Sequence, residues 1–151
     1  MSKIIKFGPE GREKLVKGID ILADAVVSTL GPNGRNVAIQ LPHNQVQSTK
    51  DGVTVAKHIS LKDPIENLGV NLVRDASIKT ADKAGDGTTT STLLAREMIK
   101  GGLKHLNNGA NAVEIKREID VSVEEVIDNL KNDISEDISS EDQLEQVATV
   151  S

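Results

Sequence analysis

A mainly α-helical bundle carrying one small β-hairpin is the fold this sequence predicts, and three observations lead to it. One Phe among 151 residues, with no Trp or Tyr, leaves a core built from aliphatic side chains, which suits helices packed closely on helices. Four stretches repeat apolar residues every three or four positions between residues that start and stop helices. Only the stretch 36–49 has the β-branched content and partial alternation of strands. With 37% hydrophobic residues the chain has material for one core and one domain.

The first helix is expected from Arg12, after Gly8-Pro9-Glu10-Gly11, because Leu15, Ile19, Leu22, Val26 and Leu30 form one stripe. It stops at Gly31-Pro32, where glycine can take the left-handed cap and proline cannot continue a helix. The run Leu30-Gly31-Pro32-Asn33-Gly34-Arg35-Asn36 is longer than a stop requires, and it serves equally as a turn or as backbone laid against a ligand. Val37 to Leu41 reads as a short strand, Pro42-His43-Asn44-Gln45 as a hairpin loop and Val46 to Thr49 as the return strand. Lys50-Asp51-Gly52 closes the hairpin with a turn sequence. A lone hairpin is marginally stable, so this one must lie on the helices or pair with strands from elsewhere.

A short helix is expected over Val53 to Ile59. Asp63-Pro64-Ile65-Glu66 then places Asp at the N-cap, Pro at the first helical position and Glu at the third. The helix it opens carries Ile65, Leu68, Leu72, Val73, Ala76 and Ile78 and ends at Ala84-Gly85. Leu94, Met98, Ile99, Leu103 and Leu106 mark the next helix, to a stop at Asn107-Asn108-Gly109. Asn111-Ala112-Val113-Glu114 opens another, with Ile115, Ile119, Val123, Val126, Ile127 and Leu130 as its core stripe. Beyond Lys131 the composition changes. Residues 132–151 hold six acidic residues and no Lys or Arg, so the net charge of −5 comes from this segment. Ile134 to Asp142 is expected to be an exposed connector, after which Leu144, Val147, Ala148 and Val150 begin a further apolar element.

The chemistry is concentrated in Ala84-Gly85-Asp86-Gly87-Thr88-Thr89-Thr90-Ser91-Thr92, which leads into Leu93-Leu94-Ala95-Arg96-Glu97-Met98-Ile99. Two glycines let backbone approach a ligand, and the helix N-terminus turns unpaired N–H groups and the positive dipole end to the same spot. That combination binds anions. Asp86, a carboxylate where phosphates would sit, makes sense if a hard cation such as Mg²⁺ lies between them. A helix start with ordinary caps explains Gly-Asp-Gly as well, but not four hydroxyl residues in a row, because Thr is a mediocre helix former.

Other chemistries are excluded or weak. Cysteine is absent, so thiol catalysis, disulfides and Cys-ligated zinc are impossible. The near-absence of aromatics and the balance of 18 Lys+Arg against 23 Asp+Glu argue against nucleic acid. His43, His58 and His105 share no ligand spacing, and no Walker-type or Rossmann glycine pattern occurs. Apolar runs are too short for a membrane span, and Met-Ser-Lys-Ile-Ile-Lys has neither a signal-peptide nor a transit-peptide pattern, so a cytoplasmic location is expected.

Gly-Asp-Gly-Thr-Thr-Thr at 85–90, Thr-Leu-Gly-Pro-Asn-Gly-Arg-Asn at 29–36 and Lys-Asp-Gly-Val-Thr-Val at 50–55 together resemble the N-terminal part of group I chaperonins, the GroEL type. The resemblance runs from Phe7 onward. It implies that residues 1–131 are the N-terminal half of an equatorial ATP-binding domain and that 132–151 begin an intermediate domain, so that the helical bundle is incomplete in this chain. It implies ATP, Mg²⁺ and K⁺ as cofactors. Thr29, Leu30, Gly31 and Pro32 match the loop lining the nucleotide, with the backbone of Thr29 and Lys50 near the K⁺ site. Asp86 matches the Mg²⁺ ligand, and Gly87, Thr88, Thr89 and Thr90 match the phosphate cradle. Asp51 matches a carboxylate beside the γ-phosphate that supports hydrolysis, and Val150 falls near the adenine after one inserted residue in the connector. Asn33 stands where many members have Lys, at the rim. The resemblance further implies a homo-oligomeric, heptameric ring, a co-chaperonin lid, unfolded polypeptides as substrates, and a bacterial or bacteriophage source. Two rival functions share these residues: a truncated module that joins rings without turning over ATP, and a free-standing phosphotransferase. The latter lacks a second carboxylate cluster or a nucleophile.

Overall fold

Local capping chemistry sets most of the element boundaries. In the computed structural model, which describes residues 3–150, the order is α1 (Gly8–Val27), β1 (Val37–Gln40), β2 (Val46–Thr49), α2 (Gly52–His58), α3 (Pro64–Ala84), α4 (Thr88–Asn107), α5 (Ala112–Asn129) and α6 (Glu141–Val150). Asp63 accepts hydrogen bonds from the N–H groups of Ile65 and Glu66 and opens α3 at the predicted residue; Gly85, at φ 77°, closes it. Asn111 caps α5 through the Val113 N–H at 2.8 Å. The mainly α fold with one hairpin is the one the sequence predicts.

Some boundaries differ. Helix α1 starts at Gly8 rather than Arg12, because Pro9 suits the first turn, and it ends at Val27. Leu30 therefore leaves the predicted stripe and is 43% exposed. The hairpin is antiparallel, with Val37 opposite Thr49 and Gln40 opposite Val46. Helix α4 takes in Thr88, Thr89 and Thr90 as its first turn, so the threonines begin the helix instead of preceding it.

The chain divides into two compact units at Lys100–Gly101, within α4. In the first, the core is Ile19, Leu22, Ala23 and Val26 of α1, Val55 and Ala56 of α2, and Val70 and Val73 of α3, all essentially without solvent contact. Helices α1 and α3 touch backbone to backbone. A Cβ at Gly18 would lie 1.8 Å from the Glu66 carbonyl oxygen, and one at Gly69 would lie 2.1 Å from that of Leu15. This crossing decides which face of α3 turns inward. Gly69, Val70, Val73 and Ser77 are buried, while Leu68 and Leu72, predicted for the core, are half-exposed. The Ser77 hydroxyl is buried there without a hydrogen-bond partner, a cost of about 1–3 kcal/mol.

Polar pairs frame this core. Lys14 and Lys17 of α1 meet Asp63 and Glu66 at the start of α3, each at 2.6 Å, and Arg96 and Lys100 of α4 meet Asp24 and Asp20 of α1 at 2.7 and 3.1 Å. Arg74 of α3 donates to the carbonyls of Ala56 and Ile59, fastening the end of α2. On α4, Thr88 and Thr92 are buried, and Leu94 and Met98 of the predicted stripe are exposed.

In the second unit, Ile115 and Ile119 of α5 are half-buried and face Gly102 of α4, their side chains 3.7 and 3.9 Å from where a Cβ would stand. No residue of α5 is buried, and Val123, Val126, Ile127 and Leu130 of the predicted core stripe are exposed. One π turn, Leu130–Ile134, extends α5, so the connector narrows to 135–140 and Ile134 belongs to the helical side. The apolar element expected beyond it is α6. Among the described residues no helix is long and apolar enough to cross a membrane.

Candidate functional site

Three helix ends of the first unit supply the candidate residues. At the end of α1 the chain turns through 28–36, closed by hydrogen bonds from Gly34 N–H to the Gly31 carbonyl at 2.9 Å and from Arg35 N–H to the Ser28 carbonyl at 2.8 Å. Thr29 is buried at the base of this loop, and its hydroxyl donates to the Val26 carbonyl at 2.7 Å. Its own carbonyl oxygen faces Gly34, where a Cβ would come within 2.1 Å of it. Leu30, Gly31 and Pro32 are exposed, and nothing lies within 4 Å of the position a Gly31 side chain would take.

Asp51 begins α2. The turn expected at Lys50-Asp51-Gly52 is a helix N-cap: the Asp51 carboxylate accepts from the N–H groups of Val53 and Thr54 at 3.3 and 3.0 Å and from the Thr54 hydroxyl. Lys50 and Asp51 are both solvent-exposed.

Asp86 and Gly87 lead into α4. The Asp86 carboxylate accepts from the Gly87 N–H at 2.6 Å and is otherwise open to solvent. Gly87 has no side chain with which to cap the helix, so N–H groups of the first turn of α4 and the positive end of a 20-residue helix lie beside that carboxylate. Thr88 is buried, Thr89 half-buried and Thr90 exposed.

These ends come together at Thr89. Its hydroxyl oxygen is 3.4 Å from that of Thr29. A Cβ on Gly52, the neighbour of Asp51, would fall 2.3 Å from Thr89 Oγ1 and 3.3 Å from Thr88 Oγ1. Motifs separated by tens of residues thus share one contact point. Val150 closes α6 in the second unit, and its side chain lies outside the described residues. Gly52 is the residue the sequence did not single out. Its only signal was its place between a carboxylate and a helix, which an ordinary turn also explains.

The arrangement suits an anion. Exposed glycine backbone, a helix N-terminus and hydroxyls provide donors, and the open carboxylate of Asp86 fits beside phosphate only with a cation between them. Among the described residues no three His, Asp or Glu side chains converge on one point, so such a cation would complete its shell with phosphate oxygens, water or backbone carbonyls. Mg²⁺ tolerates that, since it keeps several waters and takes one or two carboxylates plus phosphates.

Comparison with known proteins shows the family. The TCP-1/cpn60 chaperonin family matches residues 22–151. Heat shock protein 60A of Drosophila melanogaster is 49% identical over 150 residues, which is 99% of this chain and 26% of that protein. The crystal structure of the chaperonin gp146 from the bacteriophage EL 2 (Pseudomonas aeruginosa), determined in the presence of ATP-BeFx, superposes with a TM-score of 0.66 at 34% identity. It covers 82% of this chain and 21% of that one. The chain therefore spans about a quarter of the length of the relatives it matches. An insect relative also removes the ground for restricting the source to bacteria and their viruses.

Proposed function

The chain belongs to the TCP-1/cpn60 chaperonin family, and from that premise we propose that it carries the phosphate and cation half of the ATP site of a ring-forming protein-folding chaperone. The observation that carries the proposal is the meeting of the loop after α1, the start of α2 and the start of α4 at Thr89. Residues 1–131 are proposed as the first half of the nucleotide-binding domain and 132–151 as the start of the next. An oligomeric ring, unfolded polypeptide substrates and a lid partner follow as parts of the same proposal.

Each residue has a role in it. The helix N-terminus of α4, with Gly87, Thr88, Thr89 and Thr90, binds phosphate oxygens. Leu30, Gly31 and Pro32 provide an exposed surface along the nucleotide, and Val150 is assigned to the adenine end. Asp86 would hold Mg²⁺, and the carbonyls of Thr29 and Lys50 would hold K⁺. When bound, the cations supply the positive charge that offsets the phosphates. Asp51 is the proposed catalytic carboxylate. Two backbone N–H groups and the Thr54 hydroxyl already orient it, leaving lone pairs to orient water at the terminal phosphate.

Asp86→Ala in the complete protein tests this. Because the carboxylate reaches phosphate only through the cation, Mg²⁺-dependent ATP turnover is expected to fall about a hundredfold or more, while circular dichroism and the thermal transition stay as in the parent. Equal turnover by mutant and parent would overturn the assignment.

A further inference from the structure

Thr89 has a direction as well as a place. The Thr29 hydroxyl has a single proton and spends it on the Val26 carbonyl at 2.7 Å. In the 3.4 Å contact between the two threonine hydroxyls the Thr29 oxygen can therefore only accept, and a contact of that length holds the Thr89 proton weakly. The Thr89 hydroxyl thus keeps its proton for a stronger acceptor, such as a phosphate oxygen.

What holds Thr89 in that rotamer is the absence of a side chain opposite. A Cβ at Gly52 would lie 2.3 Å from Thr89 Oγ1, 3.2 Å from Val26 Cγ1 and 3.3 Å from Thr88 Oγ1. Gly52 is buried at the first position of α2 and, unlike Gly31, Gly85 and Gly87, has no positive φ. Its backbone does not call for glycine, and alanine is the better helix former by about 1 kcal/mol. The space does call for it.

We propose that Gly52 is a positioning residue for the phosphate-binding turn: by leaving room for Thr89 Oγ1 against Thr29, it keeps that hydroxyl placed to donate to a phosphate oxygen and seats Asp51 against the start of α4. This rests on the nucleotide site proposed above. With alanine at 52, Thr89 must turn about its Cα–Cβ bond, which carries its hydroxyl away from Thr29 and replaces a placed donor by a misplaced one or by a methyl group. The rest of the structure needs to move only by the few tenths of an ångström that Val26 Cγ1 requires.

The test uses the complete protein, with Mg²⁺-ATP affinity measured by calorimetry and the thermal transition recorded without nucleotide. Gly52→Ala is expected to weaken Mg²⁺-ATP binding about tenfold, the worth of one charge-assisted contact, without lowering the nucleotide-free transition. Thr89→Ala should weaken binding to a similar degree, and Gly52→Ala added to Thr89→Ala should cost nothing further, because the colliding oxygen is gone. Parental affinity in Gly52→Ala, losses that multiply in the double variant, or a nucleotide-free transition that drops along with affinity would each overturn the proposal. A parent that fails to bind Mg²⁺-ATP would instead overturn the nucleotide site itself, and this inference with it.

Discussion

Asp63 shows how one side chain does two jobs, only one of which is local. It caps α3 through the N–H groups of Ile65 and Glu66, and it meets Lys14, 49 residues earlier, at 2.6 Å. The Lys14 ammonium, first by its hydrogen bond, and then the Ile65 N–H hold the Asp63 carboxyl below its usual range; reciprocally, the Asp63 carboxylate holds Lys14 above its own. The signs follow. A depressed carboxyl contributes stability that is present above its unfolded value, about 3.9, and is lost as pH falls through the lower folded value. A raised ammonium contributes below about 10.4, and that is lost as pH rises through the higher folded value. Asp63→Asn keeps a good N-cap and removes the charge. Urea midpoints of parent and variant should therefore differ near neutral pH and converge in acid as the pH falls through the lowered folded-state value of Asp63; a gap that persists unchanged there would show that the pair contributes nothing. The cap was legible in Asp63-Pro64-Ile65-Glu66, because a cap is a contact within three residues. The ion pair was not, because Lys14 is brought there by the packing of α1.

At the level of elements, α3 carries the clearest lesson. Its apolar spacing suggested an inward face of Ile65, Leu68, Leu72, Val73, Ala76 and Ile78; of these only Val73 is buried, beside Gly69, Val70 and Ser77. Hydrophobic periodicity identifies a stripe but assumes that the largest side chains face the nearest core. Here two glycines bring α1 and α3 into backbone contact, and close approach rewards the smallest side chains. Gly69→Ala measures that crossing. Helix propensity alone would favour alanine by about 1 kcal/mol, whereas a Cβ at 2.1 Å from the Leu15 carbonyl forces the helices apart at a cost of about 1–3 kcal/mol or more. A net loss in denaturant midpoint is expected. An unchanged or raised midpoint would mean that the helices do not cross this closely.

For the molecule as a whole, apolar surface exceeds what these residues can cover. Among the described residues eight hydrophobic side chains are buried, and twenty large ones are exposed, from Ile4 and Phe7 to Leu144 and Val147. Each large aliphatic side chain left in water forgoes about 1.5–3 kcal/mol, against a total stability of about 5–15 kcal/mol for an ordinary domain. Residues 1–151 expressed by themselves are therefore expected to self-associate or to stay loosely packed, with strong binding of a hydrophobic dye. Light scattering that finds a monodisperse monomer with a cooperative thermal transition would contradict this.

What the sequence by itself determined is everything carried by near neighbours along the chain: the hairpin, the caps at Asp63, Gly85 and Asn111, the aliphatic helical class, and the three motifs that resemble a chaperonin. Those are short-range hydrogen-bond and conformational preferences, and a few adjacent residues suffice to state them. Only the tertiary structure decided that Leu68, Leu72, Leu94 and Met98 face outward and that Thr29, Gly52 and Thr89 meet. Those outcomes depend on how closely two backbones approach. Closeness is set by pairs such as Gly18 with Glu66, and Gly52 with Thr89, whose members lie tens of residues apart and whose shared property is a missing side chain.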